Sequence, residues 1–183
     1  LVVAALLFFL RDVPAMQVLW LALVWWLVCF GLVSSYPEGT HAWGSVPVRM
    51  LMGLLVLVPA WVGLNHMRTA GLYYGDVGNN LLLIPYVFCV VWVADIGAYF
   101  AGRAFGKAKL APRVSPGKSW AGVWGGLLAV AIFAAIISQL ANARWSDAVL
   151  LVLATLVTGG VSVLGDLLES MLKRFRGIKD SSG

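Results

Sequence analysis

Charge is scarce in this chain. Asp, Glu, Lys and Arg make up 11% of its 183 residues, hydrophobic residues make up 61%, and the mean hydropathy is +0.91. A soluble domain carries about a quarter charged residues, so this composition excludes one and points to a polytopic membrane protein. Cysteine is nearly absent: Cys29 and Cys89 each lie in an apolar run, which argues against a disulfide framework or a thiolate metal site. The two histidines, His41 and His66, fall on opposite sides of the expected membrane and so do not share one zinc site or one triad. There is no clear repeat, low-complexity tract or soluble-domain boundary. The chain begins with Leu rather than Met, and the expectation is an internal fragment of a longer protein.

Long apolar runs fill the rest. A helix needs about 20 residues to cross a bilayer, and stretches of that order lie near Met16–Ser34, Val46–Leu64, Leu81–Phe100, Trp120–Ala141 and Ala148–Leu168. Leu1–Leu10 reads as the remnant of another span. Backbone groups in lipid must be satisfied internally, so helices are expected. The expected fold is all-α: one membrane domain over 1–183, a polytopic bundle of about five complete spans plus a partial N-terminal one. Residues 1–91 form the N-terminal spans. Residues 92–183 form a chemistry-bearing half with a polar loop at 102–119 and a C-terminal motif at 162–183. Several of the nine tryptophans fall near span ends, where indoles favour the interface.

The basic residues divide unevenly. Arg49, Arg103, Lys107, Lys109, Arg113, Lys118, Lys173, Arg174, Arg176 and Lys179 fall on one side, ten of 13, while Arg11, Arg68 and Arg144 fall on the other. The positive-inside rule makes the first side cytoplasmic. Loop 102–119 and the C-terminal segment then face the compartment that holds nucleotides.

Three places carry candidate chemistry. Asp95 sits late in an apolar span, with Tyr99 and Arg103 one and two turns on. A carboxylate at that depth costs about 2.5–3.5 kcal/mol, so it belongs in a polar interior, either as a functional acid or as half of a structural Asp–Arg pair. The loop Gly102–Ser119 has five basic residues and no acidic one. It ends in a Ser115-Pro-Gly-Lys118 turn, with a helix starting at about Ser119 whose N-terminus adds partial positive charge. That suits an anion, although a plain positive-inside loop has the same charge. Gly117-Lys118-Ser119 is not a phosphate-binding P-loop, because that motif needs a glycine where Pro112 stands. Asp166, Ser170 and Lys173 are spaced i, i+4, i+7 and share a helix face. A boundary carboxylate beside a hydroxyl and cations suits a metal-bound phosphate. Glu169 either supports that site or pairs with Lys173 at i+4. Gly122-x-x-x-Gly126 is a helix-packing spacing.

Together these motifs resemble phosphatidate cytidylyltransferases (CDP-diacylglycerol synthases). Ser170-Met-Leu-Lys173-Arg174 and Lys179-Asp180 match the first two parts of that family's signature, and a Gly-His-Gly-Gly-x-x-Asp-Arg-x-x-Asp-like tail would follow Gly183. Asp95-x-Gly-Ala-Tyr99, Gly102-Arg-x-Phe-Gly106-Lys and Ser115-Pro-Gly-Lys118-Ser-Trp120 match its middle region in order and spacing. The resemblance covers about Trp92 to Gly183. It implies transfer of a cytidylyl group from CTP to phosphatidate with Mg²⁺, a second cation being allowed. Asp166 is then a metal ligand, with a further ligand in the tail. Asp95, Lys173, Arg174, Lys179 and Asp180 are catalytic candidates, and Arg103, Ser115, Lys118 and Ser170 are substrate-binding candidates. The expected partners are CTP, phosphatidate and the bilayer, with no nucleic acid and a homodimer left open. The expected location is a bacterial inner membrane with the site facing the cytoplasm, and residues 1–183 by themselves are expected to be inactive. Two other readings stay open. A secondary transporter explains Asp95 but leaves the basic loop idle, and a CTP-dependent membrane lipid kinase shares the fold logic.

Overall fold

The computed structural model describes residues 14–69 and 82–178. Among the described residues five helices are long and apolar enough to cross a membrane, and the protein is an integral membrane protein. In chain order the elements are α1 (Ala15–Ser35), the short α2 (Thr40–Trp43), α3 (Val46–Thr69), α4 (Leu83–Phe105), β1 (Lys109–Ala111), β2 (Ser115–Ser119), α5 (Trp120–Leu140) and α6 (Trp145–Phe175). Only 11 to 28% of each span is buried, so most of the apolar surface points outward, as lipid requires. Leu1–Leu10, Leu81, Lys179 and Asp180 lie outside the described residues.

The helices run past the apolar stretches that announce them. The last was expected to end at Leu168 but continues to Phe175, and the third was expected to end at Phe100 but continues to Phe105. Beyond the hydrocarbon layer the backbone still satisfies its own groups best by staying helical, and Lys and Arg are good helix formers. Helix α4 is therefore about 35 Å long at 1.5 Å per residue, and Asp95 stands about midway along it.

The chain forms two compact units, 1–86 and 87–183. In the first, α1 and α3 contact each other. Ala22, Cys29 and Val33 on α1 and Met52 and Val62 on α3 are buried. Buried Trp43 of α2 packs near Tyr36, with ring centroids 6.4 Å apart.

The second unit is held together by small residues. On α5, Gly122, Gly126, Val130, Ala134 and Ser138 form a buried stripe at intervals of four. A Cβ added to Gly97 of α4 would sit 2.6 Å from Ala129 Cβ and 2.7 Å from the Gly125 carbonyl oxygen; one added to Gly126 would sit 2.9 Å from the Ala94 carbonyl oxygen. Helices α4 and α5 thus cross backbone against backbone, the contact that small residues permit in membranes. Gly122 and Gly126 serve packing as their spacing implied. Helix α6 joins through Gly159, where an added Cβ would lie 3.3 Å from Val130 Cγ2.

The loop expected at 102–119 is more ordered than its composition indicates. Its first residues belong to α4, and the rest forms an antiparallel ribbon pairing Lys109 with Ser119 and Ala111 with Ser115. The turn lies at Pro112–Val114, where the Val114 N–H donates to the Ala111 carbonyl at 3.1 Å. Ser115-Pro-Gly-Lys118, read from sequence as a turn, belongs to strand β2 (Ser115–Ser119). Pro112 presets a turn dihedral, whereas Pro116 stands in a two-stranded ribbon, where an edge strand tolerates the missing N–H.

Candidate active site

The end of the second unit where α4 finishes, α5 starts and α6 runs out encloses a cavity of about 520 Å³. Helix α4 supplies Asp95, Tyr99 and Arg103 to its wall, with Ala98 and Gly102 between them. Strand β2 supplies Lys118 and Ser119, α5 supplies Gly122 and Val123, and α6 supplies Ser162, Val163 and Asp166. The closeness of α4 to α5 follows from their glycines. An added Cβ on Gly102 would meet Ser119 Oγ at 3.3 Å, so a bulkier residue there would crowd the cavity mouth.

Charge in the cavity is balanced, two acids against two cations. Lys118 forms an ion pair with Asp166, and its ammonium also reaches the Val163 carbonyl at 3.5 Å. The Lys118 side chain is 24% exposed and that of Asp166 is 55% exposed, so the pair stands at the mouth with its carboxylate accessible. Asp166 lies about 32 Å along α6 from Trp145, about the thickness of the hydrocarbon layer. On the facing wall Arg103 donates to the Tyr99 hydroxyl at 3.1 Å. Asp95 makes no hydrogen bond or ion pair among the described residues, although it sits midway along a membrane helix. The Asp–Arg pairing weighed for it is not formed, because the guanidinium turns to Tyr99 instead. Buried Ser119 caps α5, its hydroxyl accepting from the Gly122 N–H at 3.2 Å. That fixes the positive end of the α5 dipole against the cavity.

Four sequence candidates therefore meet here: Asp95, Arg103, Lys118 and Asp166. Four others lie off the cavity wall. Ser115 is on β2 away from the mouth, and Ser170 follows Asp166 one turn further out. Lys173 pairs with Glu169 at 2.9 Å, the i+4 pairing weighed from spacing. Arg174 donates through Nε to the Val114 carbonyl at 3.4 Å. The shared face of Asp166, Ser170 and Lys173 exists on α6, but strand β2 attaches along those last turns, so only Asp166 faces the cavity. Lys179 and Asp180 are outside the described residues. Sequence reading missed Ser119 and Ser162 as wall residues, and the N-cap position of Ser119 was the signal for the first.

The donor set suits Mg²⁺. No group of three His, Cys, Asp or Glu converges among the described residues, so the described residues alone make no all-protein cage. Two carboxylates facing one cavity are what Mg²⁺ uses when phosphate oxygens and water complete its shell.

Comparison with known proteins accounts for the whole chain. Residues 1–183 match the model of the cytidylyltransferase family. Proteins named phosphatidate cytidylyltransferase are similar to it: 47% identical over 182 residues in Pseudomonas aeruginosa, covering 98% of this chain and 65% of that protein; 44% over 165 residues in Haemophilus influenzae, covering 88% and 57%; and 35% over 170 residues in Brucella suis, covering 85% and 61%. The chain thus spans about three fifths of the length of these relatives. No solved structure matches it. With a family match over every residue, and with relatives up to 47% identical among those compared, the chain belongs to the cytidylyltransferase family.

Proposed function

We propose that this chain carries the membrane part of an enzyme that transfers a cytidylyl group from CTP to phosphatidate, giving CDP-diacylglycerol and pyrophosphate. The observation that carries the reading is the cavity at one end of α4, α5 and α6, whose wall brings together Asp95, Asp166, Arg103 and Lys118. A phosphate oxygen of phosphatidate attacks the α-phosphorus of CTP. The new P–O bond forms as the bond from that phosphorus to the bridging oxygen breaks, and pyrophosphate leaves with the electron pair. Such transfers are governed by positioning and charge neutralisation. Asp166 and Asp95 would hold Mg²⁺, which would supply neutralising charge at the phosphate oxygens when bound; a second cation would be held at Asp95, which makes no hydrogen bond or ion pair among the described residues. Lys118 moves its charge from Asp166 toward the phosphates, Arg103 binds a phosphate from the facing wall, and the capped start of α5 adds its dipole.

A mouth at the membrane boundary admits the lipid sideways and the nucleotide from water. In the second unit, Arg103, Lys107, Lys109, Arg113, Lys118, Lys173, Arg174 and Arg176 all belong to the cavity end and Arg144 to the other. That bias supports a cytoplasmic mouth, in bacteria at the inner membrane.

The test is an assay of the intact purified protein with phosphatidate, Mg²⁺ and CTP labelled at either the α- or the γ-phosphorus. The expected result is α-label in the lipid and γ-label in pyrophosphate. Label from the γ-position in the lipid would establish a lipid kinase instead, and no labelled lipid from either would overturn nucleotide chemistry altogether.

A further inference from the structure

We propose that Arg174 is a positioning residue that acts through strand β2 to hold Lys118 over the cavity. The inference rests on the cytidylyl-transfer reading of the cavity and gives Arg174 a role in it without substrate contact. Strand β2 and the turn residue just before it, Val114, are attached to α6 at two points. At one, the Arg174 Nε–H meets the Val114 carbonyl at 3.4 Å. At the other, Lys118 pairs with Asp166 and reaches the Val163 carbonyl. The spacings match. Val114 and Lys118 are four residues apart, about 13 Å of extended strand, and Asp166 and Arg174 are eight apart, about 12 Å of helix. The strand therefore lies antiparallel along the last turns of α6 with both ends in register.

The two attachments differ in kind. The Lys118–Asp166 pair is open to exchange: the carboxylate is half exposed at the mouth, and an entering phosphate or cation competes for either partner. The Arg174 bond goes to a backbone carbonyl next to the buried Val114 side chain, and no cavity ligand competes for it, since Arg174 is not in the cavity wall. A two-stranded ribbon is marginal by itself, so without this fixed anchor β2 would drift whenever Lys118 changed partner. With it, Lys118 turns from Asp166 to a phosphate on a strand that stays in place.

The experiment compares the intact protein in detergent with Arg174→Ala, Arg174→Lys, Lys118→Ala and the Arg174→Ala/Lys118→Ala double variant. Two quantities are read: amide hydrogen exchange of residues 109–119 against 145–165, and the rate of cytidylyl transfer. In Arg174→Ala, exchange over 109–119 is expected to rise about tenfold, the order of a lost charge-assisted hydrogen bond, with 145–165 unchanged. Arg174→Lys, which keeps charge and helix propensity, loosens the same segment less and serves as the second variant should the alanine protein misfold. Transfer is expected to fall about tenfold in Arg174→Ala and, in the double variant, to be no lower than in Lys118→Ala alone, because the two residues act in series. Losses that multiply in the double variant, or unchanged exchange over 109–119 in both Arg174 variants, would overturn the proposal. If the unsubstituted protein transfers nothing, the proposed function fails while the exchange comparison still decides whether Arg174 anchors the strand.

Discussion

The two units of this chain are built from similar apolar helices and differ in what their glycines do. In the first, Gly31 of α1 and Gly53 of α3 have nothing within 4 Å of the position a Cβ would take, and the contact between the helices is made by ordinary side chains such as Ala22, Cys29 and Val62. In the second, Gly97, Gly125 and Gly126 stand where a Cβ would collide with the facing helix. The described spans of the first unit carry no Asp or Glu. The other brings backbones together tightly enough that Asp95 on α4 and Asp166 on α6 reach one cavity. Apolar length makes a span; small residues at the crossings bring polar side chains from different spans together.

The most damaging way to probe that contrast is to remove the chemistry and leave the packing. Asp166→Asn is expected to cut CTP-dependent lipid product about a thousandfold, the several kcal/mol that a metal-held carboxylate supplies, while the protein still inserts and purifies. Near-normal turnover at saturating Mg²⁺ would make Asp166 structural and leave the second unit without its distinguishing feature. Asp95→Asn should cost less, about a hundredfold in rate, because it removes one of two carboxylates and, with no partner to orphan among the described residues, leaves thermal stability unchanged or slightly improved. A fall in melting temperature would show that the acid has a structural partner.

Packing is tested next. Gly97→Ala is expected to lower stability by about 1–3 kcal/mol, the usual cost of overpacking, and to reduce activity with it. Gly53→Ala, in open space within a helix, should raise stability by up to about 1 kcal/mol. Detergent-resistance or thermal-shift curves decide both, and equal responses at the two glycines would erase the contrast between the units. The smallest effect is expected at Glu169→Gln. The Glu169–Lys173 pair is a partly exposed i+4 pair, worth a few tenths of a kcal/mol, so activity should stay within about twofold. A large loss would move Glu169 from the helix surface into the site.

Much of this was legible in the residues. Five apolar runs gave five spans, since a chain in lipid has few other ways to satisfy its backbone. Asp95 stood out as a costly acid in an apolar span, Asp166 as a boundary carboxylate beside a hydroxyl and cations, and Lys118 as a cation before a helix start. Gly122-x-x-x-Gly126 was read correctly as packing. Less legible were the ends of helices, because α4 and α6 continue as helix through polar residues that end a hydropathy window. The ribbon at 109–119 was also missed: Pro116-Gly117 looks like a turn, and only cross-strand pairing with Lys109 and Ala111 makes it a strand.

Sequence alone determined that the protein is helical, that it lies in a membrane, and that its acids and cations gather toward one end of its second unit. Those properties follow from composition, spacing and solvent, which act on each segment by itself. Tertiary structure decided which of those residues meet. Lys118 joins Asp166 while Arg174 turns to Val114, although the two cations look alike along the chain. The choice depends on where β2 attaches to α6 and on how closely glycine lets α4 approach α5. These are distances between segments remote in sequence, and no local pattern encodes them.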